Sequence, residues 1–444
     1  MSSQNRQCGN IAAIATMFAL FFMIAFVTNF AGSMGVIVKN QFGASNTASQ
    51  LGSAANFFAY LFMGIPGGLI LKRKGYKFTS LLAVAIGFVG VGVQLLSAYA
   101  GVVKLPGDVY TIGFGNIGSF GLYVAGAFIA GFSMCMLNLV VNPLLNTLGG
   151  EGKKGNQLVQ IGCSLNSVGA TIAPILLGYL IGGEVANAKV ANAAPALWIA
   201  MGLFALAFVI IALSSIPEPH KETAEEKAAR LAGGSSVFGD IVETLKFRHF
   251  TFGALGIFFY IIIECGIPNM ANLYMTQEGQ PWYVGATVAG SVVGAYWFCM
   301  MIGRLVGGAI GGKVSSKVMV TCCALAGIAL LLAAMFAPVK MVNAFGKEFP
   351  LSMGLVALCG LCTSVMWGAI FNLAAEGLGK YVPMGSGIFM AMVCGGIVLP
   401  VQGYIADKVG ILNSYWLTIG LLAYVLVYAH VLSKPSKNVG ELAK

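Results

Sequence analysis

Charge is what this 444-residue chain lacks. Charged side chains make up 9% of it, against roughly 25% in a soluble domain, so it cannot cover a water-facing surface. Acid is scarcer still, with 15 Asp and Glu against 25 Lys and Arg, and there are only 3 His. The chain is 58% hydrophobic, which excludes intrinsic disorder. The net charge of +10 sits in short runs between long apolar stretches rather than on one surface, so no nucleic-acid partner is expected. The ten Cys lie mostly inside apolar segments such as Met134-Cys135-Met136 and read as small hydrophobes. Cys359 and Cys362, and the adjacent Cys322 and Cys323, have no His neighbour or second pair, so no metal and no cofactor is expected. No nucleophile–base pair lies within an apolar segment, which excludes an enzyme. The expected solvent is the lipid bilayer.

A span needs about 20 apolar residues. Twelve are expected, at 11–38, 48–71, 78–100, 117–148, 156–182, 195–216, 249–275, 283–311, 318–338, 350–377, 385–406 and 412–433. The first is too long for a signal-peptide core and has no small-residue cleavage end, so it is read as a span. Lys and Arg set the orientation. With both termini cytoplasmic, the inner loops and ends receive 18 of these residues, including Lys72, Arg73, Lys74 and Lys77, and the outer loops receive 6. The expected location is the inner (plasma) membrane, multi-pass. The one long polar stretch divides the chain into a bundle at 1–216, a cytoplasmic linker at 217–248 and a bundle at 249–444. The run Glu222 to Arg230 in the linker is either a short amphipathic surface helix or plain solvated chain.

The two halves repeat. Gly67-Gly68…Lys77 recurs as Gly307-Gly308…Lys317, a shift of 240. Asn142…Leu148-Gly149 recurs as Asn372…Leu378-Gly379, a shift of 230. Pro174…Gly178-Tyr179 matches Pro400…Gly403-Tyr404. Parallel six-span repeats indicate an all-α membrane protein of the twelve-helix major facilitator fold, two pseudo-symmetric six-helix bundles with a central site between them.

Polar side chains are costly in hydrocarbon, so amides and charges near span centres are the site candidates; Gly, Ser and Thr are read as helix-packing residues. The first span carries Thr28, Asn29 and Ser33, and the fourth Asn138 and Asn142, four apart. Pro143 frees the Leu139 carbonyl beside those amides. The fifth carries Cys163 and Asn166, the latter placed to share a cavity with Asn142. Neutral amides offer donors and acceptors together, which suits a polyhydroxylated ligand; the alternative is that they bond one another across helices.

Glu264 is the single acid deep in the seventh span, about fifteen residues from its cytoplasmic end, or roughly 22 Å. Tyr260 and Asn272 share its face, and Pro268 frees the carbonyl of Glu264 itself. Glu264 can bind and release a proton, or serve as a permanently protonated hydrogen-bonding group. Arg304 and Glu376 either pair as an inner gate, or Arg304 extends to the membrane surface. Trp297 and Trp367 are candidates for stacking on a sugar ring, and Asn372 repeats Asn142. The three His lie at span ends or in the linker.

These residues carry a resemblance. Val141-Asn142-Pro143…Leu148-Gly149 with Asn166-Ser167-Val168-Gly169-Ala170 resembles a signature of the fucose:proton symporter family of the major facilitator superfamily. Tyr260 to Ile267 resembles the seventh span of its glucose/galactose transporter branch, and Gly303-Arg304-Leu-Val-Gly307 with Gly385-Ser386-Gly387…Gly403…Asp407 resembles the second half. The likeness covers nearly the whole chain. It implies a sugar site from spans 1, 4, 5, 7, 8 and 10, and three departures stand out against it. The family's acids in spans 1 and 4 fall at Gly32 and Asn138, and its span 5 Gln falls at Cys163.

The sequence therefore points to a sugar permease for a hexose-type monosaccharide, working by alternating access as a monomer. Ion coupling uses H⁺ at Glu264, or Na⁺ at oxygens of Thr28, Asn29, Ser33 and Asn138. An uncoupled facilitator and a non-transporting sugar sensor are the alternatives.

Overall fold

The computed structural model describes residues 3–100, 114–148, 153–182, 188–214, 216–218, 237–310, 313–344, 346–378 and 381–434. Among them are twelve helices long and apolar enough to cross a membrane. These are α1 Ile11–Gln41, α2 Leu51–Lys74, α3 Tyr76–Tyr99, α4 Ser119–Leu145, α5 Ile161–Ile181 and α6 Val190–Leu213. The second six are α7 Arg248–Met275, α8 Ala286–Ile310, α9 Ser316–Phe336, α10 Leu351–Ala375, α11 Met384–Val409 and α12 Leu412–Leu432. An even number of crossings puts both ends of the series on one face, the terminal face; the α1–α2 connection lies on the opposite face. The helix ends depart from the expected spans by a few residues, as where 283–311 becomes Ala286–Ile310. α4 and α7 bury 67% of their apolar stretches and α6 and α9 only 28%, so the former are central and the latter face lipid.

The two sets of six helices meet along α5–α8 and α2–α11, and small residues set both contacts. A Cβ on Gly290 would collide with the Pro174 carbonyl, and one on Gly178 with the Ala286 carbonyl. A Cβ on Gly64 would lie 2.7 Å from the Ala391 Cα. α11 tightens into a 3-10 turn over Met392–Val398. There Gly395 abuts the Phe258 carbonyl of α7 and Gly396 the Phe57 ring of α2, so the helix is wedged between two neighbours.

The run Glu222 to Arg230 lies outside the described residues. On either side of it the expected linker is structured. Glu218 accepts hydrogen bonds from the Tyr76 N–H and, at 3.0 Å, the Lys77 N–H, capping the positive N-terminal end of α3. Lys77 Nζ in turn donates to the Ala212 and Ser214 carbonyls at 2.8 and 2.9 Å, tying α3 to the end of α6. Val237–Leu245 is a short helix within what reads as polar linker. Phe238, Val242 and Leu245 form one exposed apolar face on it, the pattern of a helix lying in the membrane interface. Between α9 and α10 a two-stranded hairpin, Met341–Ala344 with Lys347–Pro350, turns at Gly346, whose φ of 71° favours glycine.

Candidate functional site

Pro268 has no N–H, so the Glu264 carbonyl one turn back loses its helical partner. The Tyr296 hydroxyl of α8 donates to that carbonyl at 3.0 Å and lies 3.0 Å from Thr363 Oγ1 of α10. The Tyr260 hydroxyl of α7 donates to the Thr363 carbonyl at 3.2 Å. Two fully buried tyrosines thus bind α7, α8 and α10 together beneath the Glu264 side chain.

The Glu264 carboxylate accepts from Arg304 Nη2 at 3.3 Å, with the two side chains 13% and 14% exposed. Arg304 Nη1 points the other way, into α5. It donates to the Cys163 carbonyl at 3.0 Å, Ser167 Oγ at 2.9 Å and Asn166 Oδ1 at 3.4 Å. Asn166 Nδ2 continues the chain to the Phe21 carbonyl of α1 at 3.1 Å. One network therefore joins α1, α5, α7 and α8 across the two sets of helices. An ion pair removed from water persists only when its remaining donors are matched, and four oxygens serve this guanidinium.

The expected Arg304–Glu376 pair is not formed in this structure, nor does Arg304 extend to the membrane surface. The carboxylate of Glu264 takes Arg304, while Glu376 is exposed and its backbone carbonyl lies 2.7 Å from His249 Nε2. The reason is depth: Arg304 lies on a face of α8 that meets α5 and α7, whereas Glu376 lies beyond the last turn of α10. Asn142 and Asn166 also direct their hydrogen bonds apart. Asn29, Asn138 and Asn142 each donate Nδ2 to the carbonyl four residues back, at 2.9 to 3.0 Å, and Asn138 adds the Tyr60 hydroxyl at 3.1 Å. Tied back in this way, the amides keep their oxygens available. Thr28 Oγ1 is buried with no hydrogen-bond partner among the described residues. Ser33 and Asn272 line one small cavity with Pro174, Gly178 and Gly290, of about 10 Å³, room for one water molecule. Trp297 is buried edge-on against Tyr296, and Trp367 stacks on Phe371 and meets Phe389 edge-on. Asn372 is exposed on α10, away from the network.

Sequence reasoning missed Asn269. Its amide nitrogen donates to Gln50 Oε1 at 2.9 Å, joining α7 to the start of α2, and its oxygen stands 2.7 Å from where a Cβ on Gly32 would be. The space that an acid at position 32 would need is filled from across the molecule. The available signal was a second mid-span amide directly after Pro268. Nearer the opposite face, Asp407 of α11 accepts from the Asn46 N–H at 2.9 Å, the Thr47 N–H at 3.0 Å and Thr47 Oγ1 at 2.7 Å, closing α11 onto the α1–α2 connection.

Twelve spans in two pseudo-repeated bundles around a buried polar centre define a polytopic carrier architecture. The model of the Major Facilitator Superfamily matches residues 16–399, and the chain belongs to that superfamily. A glucose/galactose transporter of Brucella abortus is 26% identical over 426 residues, covering 95% of this chain and 94% of its own. The L-fucose-proton symporter of Escherichia coli is 23% identical over 451 residues, covering 96% and 94%. Solved structures of the Escherichia coli fucose:proton symporter and of the Escherichia coli xylose transporter in its inward-open conformation share the fold. Their TM-scores are 0.62 and 0.66, at 22% and 14% identity, over 96% and 97% of this chain and 100% and 98% of theirs.

Proposed function

We propose that this protein is a permease for a hexose-type monosaccharide, working by alternating access in the inner membrane with both termini cytoplasmic. The observation that carries this reading is the centre itself, where the Asn166 amide of α5 meets Arg304 of α8 and, through it, Glu264 of α7. Hydroxyl-rich ligands are recognised by such mixed donors and acceptors beside aromatic rings. Relatives matched over at least 94% of their own length carry names of glucose/galactose and fucose transporters, which supports the same class. In this reading the bundles at 1–216 and 249–444 rock about the site, joined by 217–248. Asn29, Asn138, Asn142, Asn166, Asn272 and Trp297 hold the sugar.

The test is uptake into proteoliposomes of labelled D-glucose, D-galactose, L-fucose and lactose, with pH and Na⁺ gradients applied separately. Saturable uptake of at least one monosaccharide is expected, with lactose excluded. No uptake of any of the four would overturn the reading. Labelling of Ser235→Cys by an impermeant reagent from outside intact cells would overturn the orientation.

A further inference from the structure

We propose that Tyr60 fixes Asn138 as a hydrogen-bond acceptor alone, so that the transported sugar must present a hydroxyl donor to α4. The inference rests on the permease reading. An asparagine side chain carries two donor hydrogens and one acceptor oxygen. Asn138 Nδ2 donates to the Met134 carbonyl at 3.0 Å and to the Tyr60 hydroxyl of α2 at 3.1 Å. The carbonyl can only accept, so it fixes which end of the amide is nitrogen. Both hydrogens are then engaged, and the oxygen receives no hydrogen bond from any described residue. Asn138 is half-buried, whereas Tyr60 is 2% exposed. A ligand therefore meets the Asn138 oxygen, and Tyr60 acts through it as a positioning residue.

The other amides of the centre are held differently. Asn29 and Asn142 each donate once, to the carbonyl four residues back, and keep a hydrogen beside the oxygen. Asn166 donates to the Phe21 carbonyl and its oxygen takes Arg304, which leaves one hydrogen. The bond back to the helix is thus common to Asn29, Asn138 and Asn142, and the tyrosine is what sets Asn138 apart. Its place suits a ligand contact. Tyr60 lies within electrostatic reach of Cys135 of α4 and of Cys265, the neighbour of Glu264 on α7, so the pair faces the other bundle. An acceptor-only group there rejects a ring oxygen, a carbonyl or an ether, because unshared electron pairs would face each other. It takes a hydroxyl hydrogen, and selectivity at that ring position is for the donor.

The full-length protein in liposomes is tested with whichever of D-glucose, D-galactose and L-fucose it takes up. The deoxy and deoxyfluoro analogues of that sugar at each ring hydroxyl are the competitors. Fluorine donates nothing and accepts weakly, so it separates a required donor from a required acceptor. At one or more ring positions the wild type is expected to bind the deoxy analogue about tenfold more weakly, with no recovery in the deoxyfluoro analogue. Asn138→Leu should weaken the parent sugar and, at one of those positions, bring parent and deoxy analogue within about twofold of each other. Tyr60→Phe leaves the amide on one tether, free to turn its NH₂ group to the ligand. It should favour the deoxyfluoro over the deoxy analogue about threefold at that same position, whereas a merely structural role for Tyr60 would weaken all analogues alike. Should Asn138→Leu not fold, Asn138→Ala carries the same comparison. Three results would overturn the proposal: deoxyfluoro analogues that match the parent at every position, wild-type discrimination that survives Asn138→Leu throughout, or an unchanged deoxyfluoro-to-deoxy ratio in Tyr60→Phe. Absence of both uptake and binding of every sugar would sink the permease reading itself, and this proposal with it.

Discussion

The α5–α8 and α2–α11 contacts are repeat equivalents, and they differ most in charge at one position. The shift of 240 that lays Gly67 on Gly307 lays Gly64 on Arg304. Gly64 sits directly against Ala391 of α11, close enough that a Cβ would clash. Arg304 instead reaches into α5 and meets Cys163, Asn166 and Ser167. A shift of 226, which lays Pro174 on Pro400, carries those three onto the turn of α11 that holds Ala391. The fold is therefore content with glycine at this place. The arginine brings desolvation and demands a partner acid, a cost that no packing need explains. Elsewhere along both contacts small residues make the close approaches, as at Gly178, Gly290 and Gly396.

Removing one member of the charged pair should have the largest effect on this asymmetry. Arg304→Met or Glu264→Gln leaves a buried charge unmatched, at about 3–5 kcal/mol. The double variant should recover most of that loss, because the centre becomes neutral like its counterpart around Gly64. A double-mutant cycle from denaturation midpoints checks it. If the double variant is as unstable as the sum of the singles, the pair is not a coupled unit.

The glycine contacts come next. Gly290→Val and Gly64→Val each force a side chain into opposing backbone, and overpacking costs about 1–3 kcal/mol. Both should lose transport while inserting normally, since the two bundles can no longer approach. Loss from one variant alone would mean that the two contacts are not mechanically equivalent.

How far this was legible from the sequence differs by residue. Pro268 predicts a freed carbonyl at Glu264, and the Tyr296 hydroxyl is found there. The read of glycines as packing residues holds at Gly178 and Gly290, because a missing Cβ has the same consequence in any register. The partner of Arg304 was not legible. Pairing across 40 residues depends on how α7 and α8 are rotated about their axes, and composition does not encode that rotation. Asn269 was hidden for the same reason, since Gln50 faces it from 219 residues away. Where Asn142 and Asn166 send their amide hydrogens was not legible either: each finds a backbone carbonyl, of Asn138 and of Phe21, that pattern reading does not weigh.

Sugar affinity sharpens the comparison from the ligand side. Asn166 belongs to the Arg304 network and Asn142 does not, although both are candidate sugar contacts. Losing one buried hydrogen bond to a ligand costs about 1–3 kcal/mol, roughly 5- to 150-fold in affinity. Asn142→Ala should therefore weaken binding with little change in melting temperature, whereas Asn166→Ala should lower both. Isothermal titration alongside thermal unfolding separates the two. Unchanged affinity in both variants would remove α4 and α5 from the site.

The smallest effect is expected where α11 meets the α1–α2 connection. Asp407 is exposed, yet both of its oxygens are used, one by the Asn46 N–H and the other by Thr47 through its N–H and hydroxyl. Asp407→Asn replaces one acceptor with an NH₂ group that cannot face a backbone donor, so at least one bond is lost. An exposed hydrogen bond of this kind is worth about 1 kcal/mol, roughly fivefold in a two-state population. The weight should shift toward conformations open on the opposite face, because this contact exists only while α11 rests on the connection. Ser33→Cys lines the cavity beneath, next to Asn272, and reports that opening through its rate of alkylation by an impermeant maleimide. Asp407→Asn should raise the rate about fivefold, and Thr47→Val, which removes only the hydroxyl, should raise it less. An unchanged rate in Asp407→Asn would show that closure of this face rests on the Gln50–Asn269 bond and the glycine contacts alone.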